Sequence, residues 1–367
     1  FTTTRNTVAT RVNENGLIEE VASNVPRLDY SDGGCPSLLL EPTATNLIPY
    51  SEDFSAFASS SAGTGSNPII TSNYATSPDG NQNADRVQFN RGSGTTSSDT
   101  SYISYPLSLG TIDSVLSIYL KTSDNTTKDL TIRLGAGLFD YNVNVTSEWQ
   151  RFTLTGNTNV DRLQILLYGD ENSQTADVLV YGAQVEENSY ATSYIKTVGT
   201  TQSRSADTAN GAGNASLISS TEGVLYAEIS ALANDSTIRA ITLSDGGISN
   251  YVALEYSTAS NRLIASTSGG NVFMQTFAYD ITNNLKVAFK YKENDFALWV
   301  NGTEILVDIS GSVPLNLSEL AFDRGDGGSP FYGNTKQIQY FDSALNDAEL
   351  EKLTSYTSFT AMANALN

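Results

Sequence analysis

Residues 287–307 read Val287-Ala-Phe-Lys-Tyr291, Lys292-Glu-Asn-Asp295, Phe296-Ala-Leu-Trp-Val300, Asn301-Gly302 and Thr303-Glu-Ile-Leu-Val307. Three alternating apolar runs are separated by a polar turn and by Asn-Gly. Asn-Gly between two such runs is a strong hairpin signal, because a type I′ turn needs positive φ at both central residues. The same period of two recurs through most of the chain. Ser114–Lys121 puts Leu116, Ile118 and Leu120 on one face, and Asp129–Leu134 does the same with Leu130, Ile132 and Leu134. Further strands are predicted at Gln150–Thr155, Leu163–Tyr168 and Asp177–Val185. Short strands broken by Gly, Asn, Asp and Ser turns predict an all-β protein built of sandwiches or jelly rolls. One helix closes the chain, with Asn346 as N-cap, Glu349 as its capping-box partner, and Leu350 and Leu353 as apolar contacts.

The chain has 367 residues, which at roughly 150 per domain predicts two domains. A break falls where Thr200–Ser220 carries almost no large apolar residue. The expected organisation is an N-terminal segment over 1–47, a first sandwich over 48–200, a linker and entering strand over 201–222, and a second sandwich over 223–367. The first segment is expected to pack on the first sandwich or to dock to another chain. A start at Phe1, with no charged and apolar leader after it, predicts a piece of a longer gene product.

There is no histidine, and 20 Lys+Arg against 40 Asp+Glu give a net charge of −20. The first fact removes Ser-His-Asp and Cys-His hydrolysis and His-ligated metal chemistry. The second argues against nucleic acid and anionic lipid as partners. No apolar run of about 18 residues predicts a membrane span. The lone Cys35 cannot form an internal disulfide. Charged residues are only 16%, so Ser, Thr, Asn and Gly fill the polar surface, which suits sugar hydroxyls.

Sugar recognition combines flat apolar faces with hydroxyl-matching polar groups. If their strands pair, Tyr119, Lys121, Thr131, Arg133, Gln164 and Tyr168 lie across one outward face; the alternative is an ordinary solvated sheet face. Trp149, in Trp149-Gln-Arg, reads as a structural edge. Trp299 is out of phase with Phe296, Leu298 and Val300, so it projects from the outer face. There it serves glycan stacking, a protein interface or burial under a second packed layer. Asp323-Arg-Gly-Asp-Gly-Gly328 offers Asp323 and Asp326 to a hard cation such as calcium, or is simply a turn. Glu293-Asn-Asp295 falls in a turn and lacks the third carboxylate of a sandwich glucanase, so no enzymatic activity is expected.

Three segments carry resemblances. Thr4–Tyr30 continued by Cys35–Leu47 looks like a leader of bacteriophage and prophage structural proteins, especially tail-fibre and other virion-surface proteins. Asn46–Phe54, Trp149–Leu154 and Asp177–Glu186 are similar to the opening, middle and final strands of jelly-roll carbohydrate-binding modules. Gly223–Thr354 resembles a concanavalin A-like (laminin-G-type) lectin or glucanase sandwich, through Leu298-Trp-Val-Asn-Gly302 and Ala344–Leu350. Together they imply a jelly roll followed by a concanavalin A-like sandwich in a virion-surface, extracellular protein. Its implied partners are cell-surface or environmental polysaccharide and other virion proteins, with a trimer as the common state of fibres. The jelly-roll resemblance also implies structural calcium at Glu52, Asp53 and Asp177, each of which is otherwise an Asx-type turn residue. The alternatives are a purely structural capsid or tail component and a secreted bacterial adhesin. The acidity favours neutral or weakly charged glycans.

Overall fold

A computed structural model describes residues 1–135, 140–168, 173–268 and 271–355. Apart from one helix and one short 3-10 turn, its regular elements are β-strands. The chain separates into two compact units: a central unit of Val8–Val21 with Thr43–Ser205, and a C-terminal unit of Phe1–Thr7 and Ala22–Pro42 with Ala206–Asn367.

The central unit is a sandwich of two five-stranded antiparallel sheets. The first runs Gln150–Asn159, Thr111–Thr122, Thr175–Glu186, Gln82–Asn90, Ser66–Thr76; the second runs Asp140–Val145, Lys128–Leu134, Arg162–Tyr168, Thr100–Pro106, Ala58–Ala62. Leu116, Ile118 and Leu120 meet Leu130, Ile132 and Leu134 in the core between them, as the alternation requires.

The expected common face of Tyr119, Lys121, Thr131, Arg133, Gln164 and Tyr168 does not form. Thr111–Thr122 pairs with Gln150–Asn159 and Thr175–Glu186, whereas Lys128–Leu134 pairs with the two strands on either side of it in the second sheet. Strands adjacent in sequence here lie in opposite sheets. Tyr119 and Lys121 therefore face away from Arg133, Gln164 and Tyr168.

At one edge of this unit, Asp99 accepts hydrogen bonds from the Thr64 N–H (2.8 Å) and hydroxyl (2.9 Å) and from the Thr96 N–H (3.2 Å) and hydroxyl (2.9 Å). These donors favour the carboxylate and hold its pKa at about 2. A depressed carboxyl contributes stability above its unfolded value of about 3.9 and loses it as pH falls through the folded value. Asp99→Asn should thus be destabilised relative to the parent at about pH 5, with the difference shrinking towards about pH 2. Urea unfolding at both pH values checks this; an unchanged difference would refute it.

The C-terminal unit packs a seven-stranded sheet against a five-stranded one. The larger runs Thr303–Asp308, Phe296–Val300, Leu285–Lys292, Glu222–Ala231, Gly333–Phe341, Ser37–Leu40, Leu28–Asp29; the smaller runs Val272–Thr276, Leu263–Ser268, Tyr251–Tyr256, Arg239–Ser244, Glu319–Ala321. Asn301 and Gly302 have φ of 50° and 81°, both positive as the Asn-Gly turn demands. The helix Asp347–Ser355 carries the expected capping box: the Glu349 N–H donates to Asn346 Oδ1 (3.1 Å) and the Asn346 N–H to Glu349 Oε2 (2.8 Å). It covers the outer face of the seven-stranded sheet, where Leu350 and Leu353 pack with Val224, Tyr226, Ala288, Ala297 and Trp299.

Residues 1–47 form no body of their own. Thr2–Thr4 pairs with Thr208–Asn210, Ala9–Val12 and Ile18–Val21 make a hairpin in the central unit, and Leu28–Asp29 and Ser37–Leu40 extend the seven-stranded sheet. Within the stretch read as a linker, Gln202–Arg204 pairs with Ala44–Asn46, and the units divide after Ser205.

Candidate functional site

On Thr175–Glu186, Val178 and Val180 point into the core, so Tyr181 points out. Gly182 (φ 66°) then makes a bulge opposite Ser117 and Tyr119. A Cβ on Gly182 would stand 3.1 Å from the Tyr119 ring and 3.3 Å from the Tyr194 ring. The bulge thus lets Tyr119, Tyr181 and Tyr194 gather on the outer face. The N-terminal hairpin closes over them: Ile18 packs on Tyr181 and Tyr194, the Ile18 N–H donates to the Pro78 carbonyl (2.9 Å), and the Thr10 hydroxyl donates to the Tyr194 carbonyl (2.5 Å). Trp149 is half-buried at the rim and donates its Nε1–H to the Thr76 carbonyl at 3.2 Å.

Hairpin and sheet enclose a cleft of about 420 Å³, lined by Thr10, Ile18, Glu19 and Glu20 from the hairpin, by Glu52, Asp79 and Asn81 from loops, and by Tyr181, Tyr194 and Lys196. Asp79 comes from Ser77-Pro-Asp-Gly80, a turn closed by Gly80 N–H to Ser77 O at 3.0 Å. Glu52 is the hub. Its Oε1 lies 3.0 Å from both the Tyr181 and the Tyr194 hydroxyl, and its Oε2 accepts from Lys196 Nζ (2.7 Å) and Asn83 Nδ2 (3.2 Å). Tyr181 also reaches Asp79 Oδ2 at 3.1 Å, and Asn83 Nδ2 reaches the same oxygen at 3.0 Å. One phenolic proton and one amide therefore bridge two carboxylates.

Burial, and then the neighbouring phenol and carboxylates, push the Tyr181 pKa far up. Burial and Glu52 do the same to Tyr194. Both phenols stay protonated donors. Burial works against the Asp79 carboxylate, but hydrogen bonds from Ser77, Asn81 and Asn83 outweigh it and hold its pKa below the usual carboxylate range. The lining is acceptor-rich: four carboxylates face one ammonium, and Glu19 is paired with Arg11.

The other expected site residues lie elsewhere. Arg133, Gln164 and Tyr168 do come together, with Arg133 Nη1 3.2 Å from Gln164 Oε1 and the guanidinium 5.5 Å from the Tyr168 ring centroid; Arg133 is also fixed by Asp140. Tyr119 sits in the tyrosine cluster beneath the hairpin, its ring 5.5 Å from the Arg151 guanidinium. Lys121 is half-buried on the same strand. Trp299 is 6% exposed beneath the closing helix. It is therefore no surface platform; of its three readings, the second packed layer is the one that forms.

Each of the residues expected to bind calcium has a protein partner. Glu52 belongs to the cleft, Asp53 caps the 3-10 turn Phe54–Ala56 through the Ser55 N–H, and Asp177 is paired with Arg86. Asp323 is buried and accepts from the Gly325 N–H (2.6 Å) and Asn210, while exposed Asp326 pairs with Arg324 at 2.8 Å. Among the described residues no group of three or more His, Cys, Asp or Glu is placed to hold a metal ion.

No family model and no curated protein matches the chain. Among solved structures, the CBM40 of Ruminococcus gnavus IT-sialidase is similar over 40% of this chain and 95% of that one, at 15% identity and a TM-score of 0.33. Domains LG4-5 of the mouse laminin alpha1 chain match over 69% and 92%, at 9% identity and 0.25. Domain 4 of AbnA, a GH43 extracellular arabinanase from Geobacillus stearothermophilus, matches over 86% and 100%, at 11% identity and 0.24. Likenesses this distant transfer neither ligand nor activity.

Proposed function

We propose that this is a non-enzymatic glycan-binding protein whose central unit takes a neutral sugar in the Glu52–Asp79–Tyr181 cleft. The observation that carries this reading is the cleft itself: about 420 Å³, open to solvent, roofed by a hairpin and rich in acceptors that match sugar hydroxyls. Its chemistry supports binding over bond cleavage. A glycosidase acid needs a raised pKa, whereas hydrogen bonding lowers that of Asp79, and both phenols are held protonated. The resemblance of Thr4–Tyr30 and Cys35–Leu47 to phage structural leaders supports a virion-surface setting, with host-surface or environmental polysaccharide as ligand.

A glycan array followed by calorimetry on the positives tests this. Neutral oligosaccharides should bind, and Glu52→Gln or Asp79→Asn should weaken them about tenfold, the worth of one charge-assisted hydrogen bond. No binding across the array, or binding indifferent to both substitutions, would overturn the assignment. Adsorption of the protein to bacterial cells tests the setting separately.

A further inference from the structure

In the C-terminal unit, Val272–Thr276 is the free edge of the five-stranded sheet. Val272, Met274 and Thr276 are buried, while Phe273 and Gln275 face out. Phe273 is 57% exposed, and Phe277, next in the same phase, is 54% exposed. From the start of the adjacent strand, Arg262 lays its guanidinium 5.6 Å from the Phe273 ring centroid and 5.8 Å from that of Phe277. Four residues along a strand span about 13 Å, so the cation lies between the rings. Its Nε donates to Gln275 Oε1 at 2.7 Å and its Nη1 to Ser257 Oγ at 3.3 Å. Among the described residues Nη2 has no partner and Arg262 makes no ion pair; Glu255 senses the charge without contacting it.

Exposed large rings mark recognition surfaces, and a guanidinium fixed on two sides is already ordered for a planar anion. We propose that Phe273, Arg262 and Phe277 form a second binding platform, for carboxylate-bearing sugars of the uronate type. Sugar C–H faces stack on the two rings, and the carboxylate accepts from Arg262 Nη2. This is a local exception in a chain of net charge −20, and it complements the acidic cleft, which repels such ligands.

The test is calorimetric titration of the full chain with a uronate oligomer, a sulfated oligomer and the matching neutral oligomer. The uronate should bind, weaken on going from ~0.05 to ~0.5 M salt, and lose about tenfold or more in affinity in Arg262→Gln. Arg262→Lys, which keeps the charge and loses the fork, should fall between, and Phe273→Ala should weaken binding without changing its salt slope. The cleft variant Glu52→Gln should leave uronate affinity unchanged, so the two sites fail or hold independently. Preference for the sulfated or neutral oligomer, absence of uronate binding, or binding that survives Arg262→Gln would overturn the proposal. So would sedimentation showing that Arg262→Gln alters only self-association, since the patch would then be a protein interface.

Discussion

Asp207→Ala should destabilise the C-terminal unit by about 3–5 kcal/mol, because it leaves two buried guanidinium groups short of a countercharge. Asp207 Oδ1 accepts from Arg5 Nη1 at 2.9 Å and Oδ2 from Arg27, while Arg27 Nη1 pairs with Glu41 at 2.6 Å. None of these four side chains is more than 3% exposed. Burial alone would make Arg27 give up its proton more readily, but Glu41 and Asp207 outweigh it and raise its pKa. The four charges cancel, and Arg5 places its remaining donors on backbone: Nη2 to the Ala22 carbonyl (2.6 Å) and Nε to the Thr7 carbonyl (3.0 Å). Asp207 thus ties the two N-terminal pieces of this unit to its main body. Each unit holds one of the two tryptophans, Trp149 and Trp299, so urea unfolding followed by fluorescence in a Trp149→Phe background isolates the affected transition. A shift worth less than about 1 kcal/mol, the range of an exposed pair, would show that the network contributes nothing special.

The strands, the Asn301-Gly302 turn and the capping box at Asn346 were legible because each depends on residues a few positions apart. The pairing partners were not. Ser114–Lys121 and Asp129–Leu134 show the same alternation, and alternation says which side chains share a face of a strand but not which sheet the strand joins. Splitting them between sheets is what dispersed the Tyr119/Arg133 face. Glu52 was singled out for calcium, and it proved to be the hub of the cleft through contacts 129 and 142 residues away, to Tyr181 and Tyr194. Asp79 carries no local mark beyond its place in Ser77-Pro-Asp-Gly80, and the expectation that residues 1–47 pack on the first sandwich did not say that residues 9–21 would roof the tyrosines. The outward phase of Tyr181 beside Gly182 was the one signal available, and it needed the bulge to be interpretable. Arg5 and Arg27 carried no local mark either, since a buried arginine is recognisable only once its carboxylates are in place.

Trp299→Ala should cost about 3–5 kcal/mol in the same unit, as expected for emptying a large aromatic site, and should release the closing helix. Nine of its residues are described, and a helical stretch of that length depends on packing to persist. Its hold on the sheet is the contact of Leu350 and Leu353 with Trp299 and its neighbours, and the Gly302 N–H donating to Thr354 Oγ1 at 2.9 Å. Hydrogen exchange should therefore show the helix amides losing protection in Trp299→Ala out of proportion to the rest of the seven-stranded sheet. Trp299→Phe, which keeps much of the apolar contact, should restore most of it. The same variant separates packing from recognition. If Trp299 served a ligand, its removal would abolish sugar binding with little effect on unfolding. As a covered ring, it should change unfolding strongly and leave binding in the Glu52 cleft, in the other unit, unchanged. Loss of glycan affinity with unaltered helix protection would reverse the assignment.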